Sequence, residues 1–258
     1  DLYRFHCQII HEKVEITMQL QYKRYNEKAE YSYSFGPFPT FELIENRPEE
    51  AIEVLYHSQT SEAIREKLTA LCKKQGIPCE QADKVIQRIR DKENCLVVGV
   101  FKKHETSLEA DRPHIVLVNP SDMGNLGTII RTAVGFGIPD LAIIRPGAAI
   151  CHPKTVRASM GSLFQLHFKY FDSFEAYKAE FGDGREMYPF MLEGSVGLDQ
   201  LKRDREKKYA LIFGNEATGL PEWFQDEGQS VRIRHTEHID SLNLSLAAGI
   251  AIYEFTKK

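Results

Sequence analysis

Arg131 stands inside an otherwise apolar run, Ile129-Ile130-Arg131-Thr132-Ala133, six residues after Asn125 and four after Gly127. A guanidinium stays charged at physiological pH, and its planar fork matches a carboxylate or a phosphate through two hydrogen bonds. An ion pair on a helix surface is the ordinary fate of such an arginine. The loop before it, Asn119-Pro120-Ser121-Asp122-Met123-Gly124, favours a ligand instead. Glu216 is the second residue of this kind. It follows the apolar run Ala210-Leu211-Ile212-Phe213, within Gly214-Asn215-Glu216-Ala217-Thr218-Gly219-Leu220-Pro221. A carboxylate at the end of a buried strand needs a cation or backbone donors, and Arg131 is a candidate partner. Gly214 would let backbone approach a ligand closely, and Gly219 would take a positive φ. The third group is Ser241-Leu242-Asn243-Leu244-Ser245, polar side chains heading a run of small and apolar residues through Phe255. A helix N-terminus offers unpaired N–H groups, so these residues either cap the helix or face a ligand. Lys154 and Arg157, spaced i,i+3, form either a solvated helix face or a contact for anionic RNA.

The elements that would position these groups alternate strand with helix. Apolar runs at Ile115–Val118, Leu141–Ile144, Leu163–Phe168, Tyr188–Leu192, Ala210–Phe213 and Val231–Ile233 read as strands. Helices fall at about 125–136, 153–160, 173–181 and 242–256, the last apolar nearly all round and therefore expected to be buried. Such alternation predicts a mainly parallel sheet with helices on both faces, and its ligands should lie beyond the carboxyl ends of the strands. Upstream, a smaller α/β domain is expected from a helix ending at Ile44, a strand Ile52–His57, helices Glu62–Gln75 and Ala82–Ile89, and a strand Cys95–Phe101. The domain boundaries expected are an extension over 1–33, a small domain over 34–105, a linker over 106–113 and the larger domain over 114–258.

The chain has 258 residues, 42% hydrophobic and 27% charged, with a net charge of −4. That acidity argues against a general nucleic-acid coat while leaving room for a local basic cleft. Five scattered cysteines without a CxxC pair point to reduced thiols, not to a disulfide framework or a zinc site. No histidine pair has metal-ligand spacing, and no metal is expected. No apolar run approaches the ~20 residues of a membrane span, and Asp1-Leu2-Tyr3-Arg4-Phe5-His6 carries no signal-peptide pattern. The expectation is a cytoplasmic protein without a membrane partner.

Taken in order, the motifs resemble the SpoU (TrmH-type) class of SPOUT RNA methyltransferases. The first is Asn125-x-Gly127-x-x-x-Arg131-Thr132-Ala133, the second Ile212-Phe213-Gly214-Asn215-Glu216-x-x-Gly219-Leu220, and the third Ser241-Leu242-Asn243-Leu244-Ser245. Arg157-Ala158-Ser159-Met160-Gly161 also fits, and the likeness covers about residues 113–258. Residues 35–103 look, more weakly, like an L30e-like RNA-binding domain. The resemblance implies an α/β SPOUT domain with a deep trefoil knot, a homodimer formed through that domain, and S-adenosylmethionine as cofactor. It places the cofactor against Leu192, Glu193, Gly194, Ile212, Phe213, Gly214, Asn215, Ile233, Ser241, Leu242, Asn243 and Ala247. It assigns methyl transfer to a ribose 2′-hydroxyl to Arg131, Asn125, Glu216, Ser241 and Asn243, and contact with RNA to Arg131, Lys154 and Arg157. Ribosomal RNA is expected ahead of transfer RNA. One departure stands out. Where the family has an Ile-Pro-Met-like turn, this chain has Ile233-Arg234-His235. Two other classes compete: a knotted RNA-binding or ribosome-assembly protein without catalysis, and a relative that methylates a base.

Overall fold

The computed structural model describes residues 22–257, so most of the expected N-terminal extension lies outside the described residues. The chain divides into two compact units between Lys103 and His104.

The first unit runs β1 (Tyr31–Phe35), α1 (Pro37–Asn46), β2 (Ala51–Tyr56), α2 (Glu62–Gln75), β3 (Cys79–Gln81), α3 (Asp83–Ile89) and β4 (Val97–Lys102). Its sheet has the order β1-β4-β2-β3, with β4 antiparallel to both neighbours and β3 parallel to β2. Gly76, at φ 71°, ends α2 in the left-handed conformation that a residue lacking Cβ adopts without strain. Strand β1 is the main surprise, because residues 31–33 were expected in the extension. Its Tyr-Ser-Tyr-Ser alternation does not separate inside from outside, since Ser32 and Ser34 are as buried as Tyr33. The Thr40 hydroxyl lies within hydrogen-bonding distance of the Ser34 and Gly36 carbonyls, at 3.1 and 2.8 Å, and shares its one hydrogen between them. Tyr22, Tyr31 and Tyr33 pack edge to face, with neighbouring centroids 5.4–6.4 Å apart, so the tyrosine-rich segment belongs to this core.

The second unit runs β5 (His114–Val118), α4 (Met123–Gly135), β6 (Asp140–Ile144), α5 (Pro153–Ala158), β7 (His167–Phe171), α6 (Phe174–Phe181), β8 (Glu186–Pro189), β9 (Val196–Gly197), β10 (Tyr209–Phe213), β11 (Val231–Arg232) and α7 (Leu244–Thr256). Five strands form a wholly parallel sheet in the order β7-β6-β5-β10-β8, and β9 pairs with β11 in a small parallel ribbon. Every residue of β5, β6 and β10 is buried, as expected for strands covered on both faces. The expected strand Leu163–Phe168 begins instead as a 3-10 turn, Ser162–Gln165, and pairing starts only at His167. The expected strand Tyr188–Leu192 ends early, at Pro189.

Helix α7 corrects two expectations. It starts at Leu244, two residues late, because Asn243 is its cap and accepts from the Ser245 N–H at 2.9 Å. It is not buried all round either. Ala248, Ala251, Ile252 and Phe255 face the core, whereas Leu246, Ile250 and Tyr253 are 61%, 43% and 58% exposed. Those three, at i, i+4 and i+7, form one apolar row. Phe136, 45% exposed beyond the end of α4, extends it with its ring 6.1 Å from that of Tyr253. No described helix is long and apolar enough to cross a membrane.

A buried polar cluster closes the amino ends of the strands, opposite the edge where ligands are expected. The Arg185 guanidinium donates to the carbonyls of Ala110, Arg112, Phe181 and Tyr209 at 2.6–3.0 Å, tying the segment before β5 to the sheet. His114, fully buried, hydrogen-bonds the Tyr177 hydroxyl and the Glu109 carbonyl at 2.9 Å. Desolvation first, and then the Arg185 charge, pull its pKa down to about 4. The unfolded chain therefore binds a proton that the folded chain refuses between about pH 6.5 and 4. This part of the stability is complete above pH 6.5 and is lost as the pH falls, by about 2 kcal/mol at pH 5. Urea unfolding at pH 7 and pH 5 checks it, and a His114→Gln variant should lose that part of the slope.

Candidate active site

In the parallel sheet, β5 leads outward through β6 to β7 on one side, while β10 and β8 lie on the other. The order reverses between β5 and β10, and the loops leaving their carboxyl ends diverge there. Two side chains of the second motif close this crevice. The Asn215 side-chain amide donates to the Asn119 carbonyl at 2.8 Å, while its oxygen accepts from the Ala217 N–H at 2.9 Å. Glu216 reaches the start of α4. Its carboxylate accepts from the Ser121 N–H (2.9 Å), the Ser121 hydroxyl (2.7 Å), the Asp122 N–H (3.0 Å) and the Asn125 amide (3.5 Å). Desolvation pushes the Glu216 carboxyl up, but the Ser121 and Asp122 donors outweigh it and hold the group below the usual carboxylate range. The expected Glu216–Arg131 pair does not form, because backbone donors at a helix start satisfy the carboxylate first.

The third motif joins the same network. The Asn243 side-chain amide donates to Asn125 Oδ1 at 3.0 Å while its own oxygen caps α7. One carboxamide thus ends a helix and fastens it to the first motif. Ser241 caps nothing and is exposed. Asp122 caps α4 by accepting from the Asn125 N–H at 2.7 Å. That contact first, and then Lys154, 3.4 Å away, lower the Asp122 pKa. Gly127 lets α4 lie against α5, since an added Cβ would stand 2.5 Å from Ala158 Cβ and 2.7 Å from the Thr155 carbonyl.

Beside this network, at the carboxyl ends of β8 and β10, opens a cavity of about 430 Å³. Of the residues expected to hold a cofactor, Leu192, Glu193, Phe213, Gly214, Asn215, Ile233, Ser241, Leu242 and Ala247 line it, as does Glu216. Ile212, Gly194 and Asn243 do not. Ile212 points into the core, and an added Cβ on Gly194 would lie 2.4 Å from the Val231 backbone. The turn singled out at Ile233-Arg234-His235 contributes His235 to the wall, whereas the sequence motifs missed Phe190, Met191, Val231, Glu222 and Gln225. The last two come from a 3-10 turn, Glu222–Asp226, which also carries Trp223 stacked on Phe224 with centroids 4.0 Å apart. Pro221, just before a Glu, was the available signal for that turn.

Arg131 lies outside the cavity wall. It is exposed on α4, and its guanidinium makes no hydrogen bond or ion pair with any described residue. The neighbouring threonines turn to their own helix, Thr128 and Thr132 donating their hydroxyls to the carbonyls four residues back at 2.9 Å. Among the described residues no cluster of His, Cys, Asp and Glu could hold a metal ion.

A parallel sheet covered on both faces, with a cavity at its carboxyl edge built from three separate turns, defines an α/β domain that binds a small organic ligand. The chain belongs to the SpoU rRNA Methylase family, whose model matches residues 112–253. It is 34% identical over 144 residues to a putative tRNA (cytidine(34)-2′-O)-methyltransferase of Listeria innocua, an alignment covering 55% of this chain and 85% of the relative. It is 26% identical over 214 residues to the 23S rRNA (adenosine(1067)-2′-O)-methyltransferase of Streptomyces azureus, covering 80% and 78%. Among solved structures it is similar to the AdoMet-bound rRNA methyltransferase of Sinorhizobium meliloti, with TM-score 0.73, 26% identity and coverage of 88% and 87%.

Proposed function

We propose that this chain transfers a methyl group from S-adenosylmethionine to a ribose 2′-hydroxyl of RNA. The observation that carries this reading is one cavity walled by the second and third motifs, with the first motif hydrogen-bonded to both. The cavity fits the cofactor chemically. Gly214 lets the Gly219–Leu220 backbone close tightly against the strand end at its wall, where a Cβ would be blocked, and the strand ends supply apolar surface for a purine. Bound there, the cofactor supplies an electrophilic methyl group on sulfur. The residues of the chain do the rest. Glu216 and Asn243 hold α4 at a fixed distance from the cavity, and Arg131, without a partner of its own, holds a phosphate beside the target ribose. Holding the hydroxyl in line for attack supplies most of the acceleration, up to ~7–11 kcal/mol. A guanidinium keeps its proton and is a poor proton acceptor, so Arg131 acts through its charge on the phosphate and on the developing alkoxide. Lys154 and Arg157 extend the contact with RNA.

The assembly is a homodimer. A second copy covers the row Leu246, Ile250, Tyr253 and Phe136 and brings its own α4 towards the cavity. The C-terminal segment threads through a loop to make a deep trefoil knot, a reading supported by β10 lying between β5 and β8 while α7 packs back on α4. The first unit, with its mixed four-stranded sheet and flanking helices, is an L30e-like domain that binds the RNA substrate. Ribosomal RNA is favoured, because the Streptomyces relative aligns over 80% of the chain and the transfer-RNA relative over 55%.

The test is incubation with methyl-labelled S-adenosylmethionine and either 23S ribosomal RNA or transfer RNA, followed by nucleoside analysis. A 2′-O-methyl nucleoside from ribosomal RNA is expected. Product from transfer RNA alone would shift the substrate, and a methylated base would overturn the reaction. A Leu246→Glu/Ile250→Glu chain should be monomeric by light scattering and inactive in the same assay.

A further inference from the structure

The departure at Ile233-Arg234-His235 places a side chain where it can read the cofactor. Val231, Ile233 and His235 all line the cavity, at i, i+2 and i+4, while Arg232 and Arg234 point away, the alternation of an extended chain. Arg234 is held on the outer side. Its guanidinium donates to Gln200 Oε1 at 2.7 Å and lies 3.4 Å from Asp199 Oδ2. The inner row is therefore two apolar residues followed by one imidazole, continued by Leu242 and Leu244 on the same cavity. This apolar row suits a purine, whereas the amino-acid end of the cofactor is charged and suits Thr218, Glu222 and Gln225. Asn215 and Glu216 are not free to read a base, because their side chains are already spent on Asn119, Ser121 and Asp122.

The imidazole has a defined polarity. His235 Nδ1 lies 3.0 Å from the Thr236 carbonyl, which can only accept, so Nδ1 carries the hydrogen. In the neutral ring Nε2 is then a lone-pair acceptor. A 6-aminopurine offers an N–H₂ donor, while a 6-oxopurine offers a carbonyl oxygen that would meet that lone pair.

We propose that His235 accepts from the 6-amino group of the cofactor's purine and so sets the preference for adenine. This rests on the reading that the cavity binds S-adenosylmethionine. The experiment is titration calorimetry of the full chain with S-adenosylhomocysteine and with its deaminated counterpart, S-inosylhomocysteine, for wild type, His235→Phe and His235→Gln. The wild type should prefer the adenosyl ligand by about tenfold or more, the scale of one hydrogen bond exchanged for an unpaired acceptor. His235→Phe, which keeps a ring on the wall, should lower that ratio several-fold. His235→Gln, whose carbonyl oxygen can accept, should keep most of it. An equal ratio in His235→Phe and wild type would overturn the proposal. Failure of wild type to bind S-adenosylhomocysteine would instead remove the cofactor reading of the cavity, and the proposal with it.

Discussion

Replacing Arg131 by alanine should lower the single-turnover rate of methyl transfer about 10²–10³-fold, the usual loss when one preorganised charge donor is removed. The affinity for S-adenosylhomocysteine should stay the same, because Arg131 is not part of the cavity wall. The physical basis is the solitude of its charge. Arg131 faces solvent from an apolar helix, its guanidinium without a hydrogen bond or ion pair to any described residue. Such a cation lowers no local energy within the chain, and so its use lies with an anion from outside. Arg131→Lys separates two ways of using it. If lysine restores the rate, a point charge is enough. If it fails, the two-pronged fork is needed to orient the phosphate. A change in cofactor affinity equal to the change in rate would reject the division of labour between α4 and the cavity.

Gly214→Ala should damage the other half of the site. An added Cβ would lie 2.2 Å from the Gly219 carbonyl carbon, 2.3 Å from its oxygen and 2.4 Å from the Leu220 nitrogen. All three are backbone atoms, so relief requires moving the turn itself. Asn215 and Gly219 close that turn with mutual backbone hydrogen bonds at 3.2 and 2.9 Å, and Gly219 takes φ 67°. Its movement displaces Glu216 from Ser121 and reshapes the wall from Gly214 to Leu220. The expected outcome is at least ~30-fold weaker S-adenosylhomocysteine binding with a stability loss of about 1–3 kcal/mol. Calorimetry and urea unfolding read the two effects separately. Gly135→Ala, where an added Cβ meets nothing within 4 Å, is the matching control and should leave affinity unchanged.

Much of this site is legible in the sequence, because glycines and polar residues at the ends of apolar runs mark the carboxyl edge of a parallel sheet. Gly214, Glu216 and the Ser241–Asn243 segment all stand at that edge in the structure. What spacing cannot supply is the choice of partner. Glu216 meets Ser121 and Asp122 across about 95 positions of sequence, and a nearby arginine is the more obvious guess. Asn243 and Ser241 are equally good caps by type, and only the path of the chain decides which one turns into α7. The apolar body of α7 misled in another way. Composition cannot tell a helix covered on every side from one with an open apolar row, and Leu246, Ile250 and Tyr253 form such a row. Gly249 makes the same point, since an added Cβ would come no closer than 3.9 Å to Thr132. Strand β1 was hidden because its serines are paired inside the core, Ser34 with the Thr40 hydroxyl at 3.0 Å, and do not face water.

The 3-10 turn between Glu222 and Asp226 has a practical consequence. It carries Trp223, the only tryptophan of the chain, 44% exposed and stacked on Phe224, directly beside Glu222 on the cavity wall. The protein therefore contains its own fluorophore, one residue along the chain from the cavity wall. Its emission colour and quenching by iodide should report any movement of this turn when the cavity fills, without label or radioisotope, and should do so equally in chains whose chemistry has been switched off.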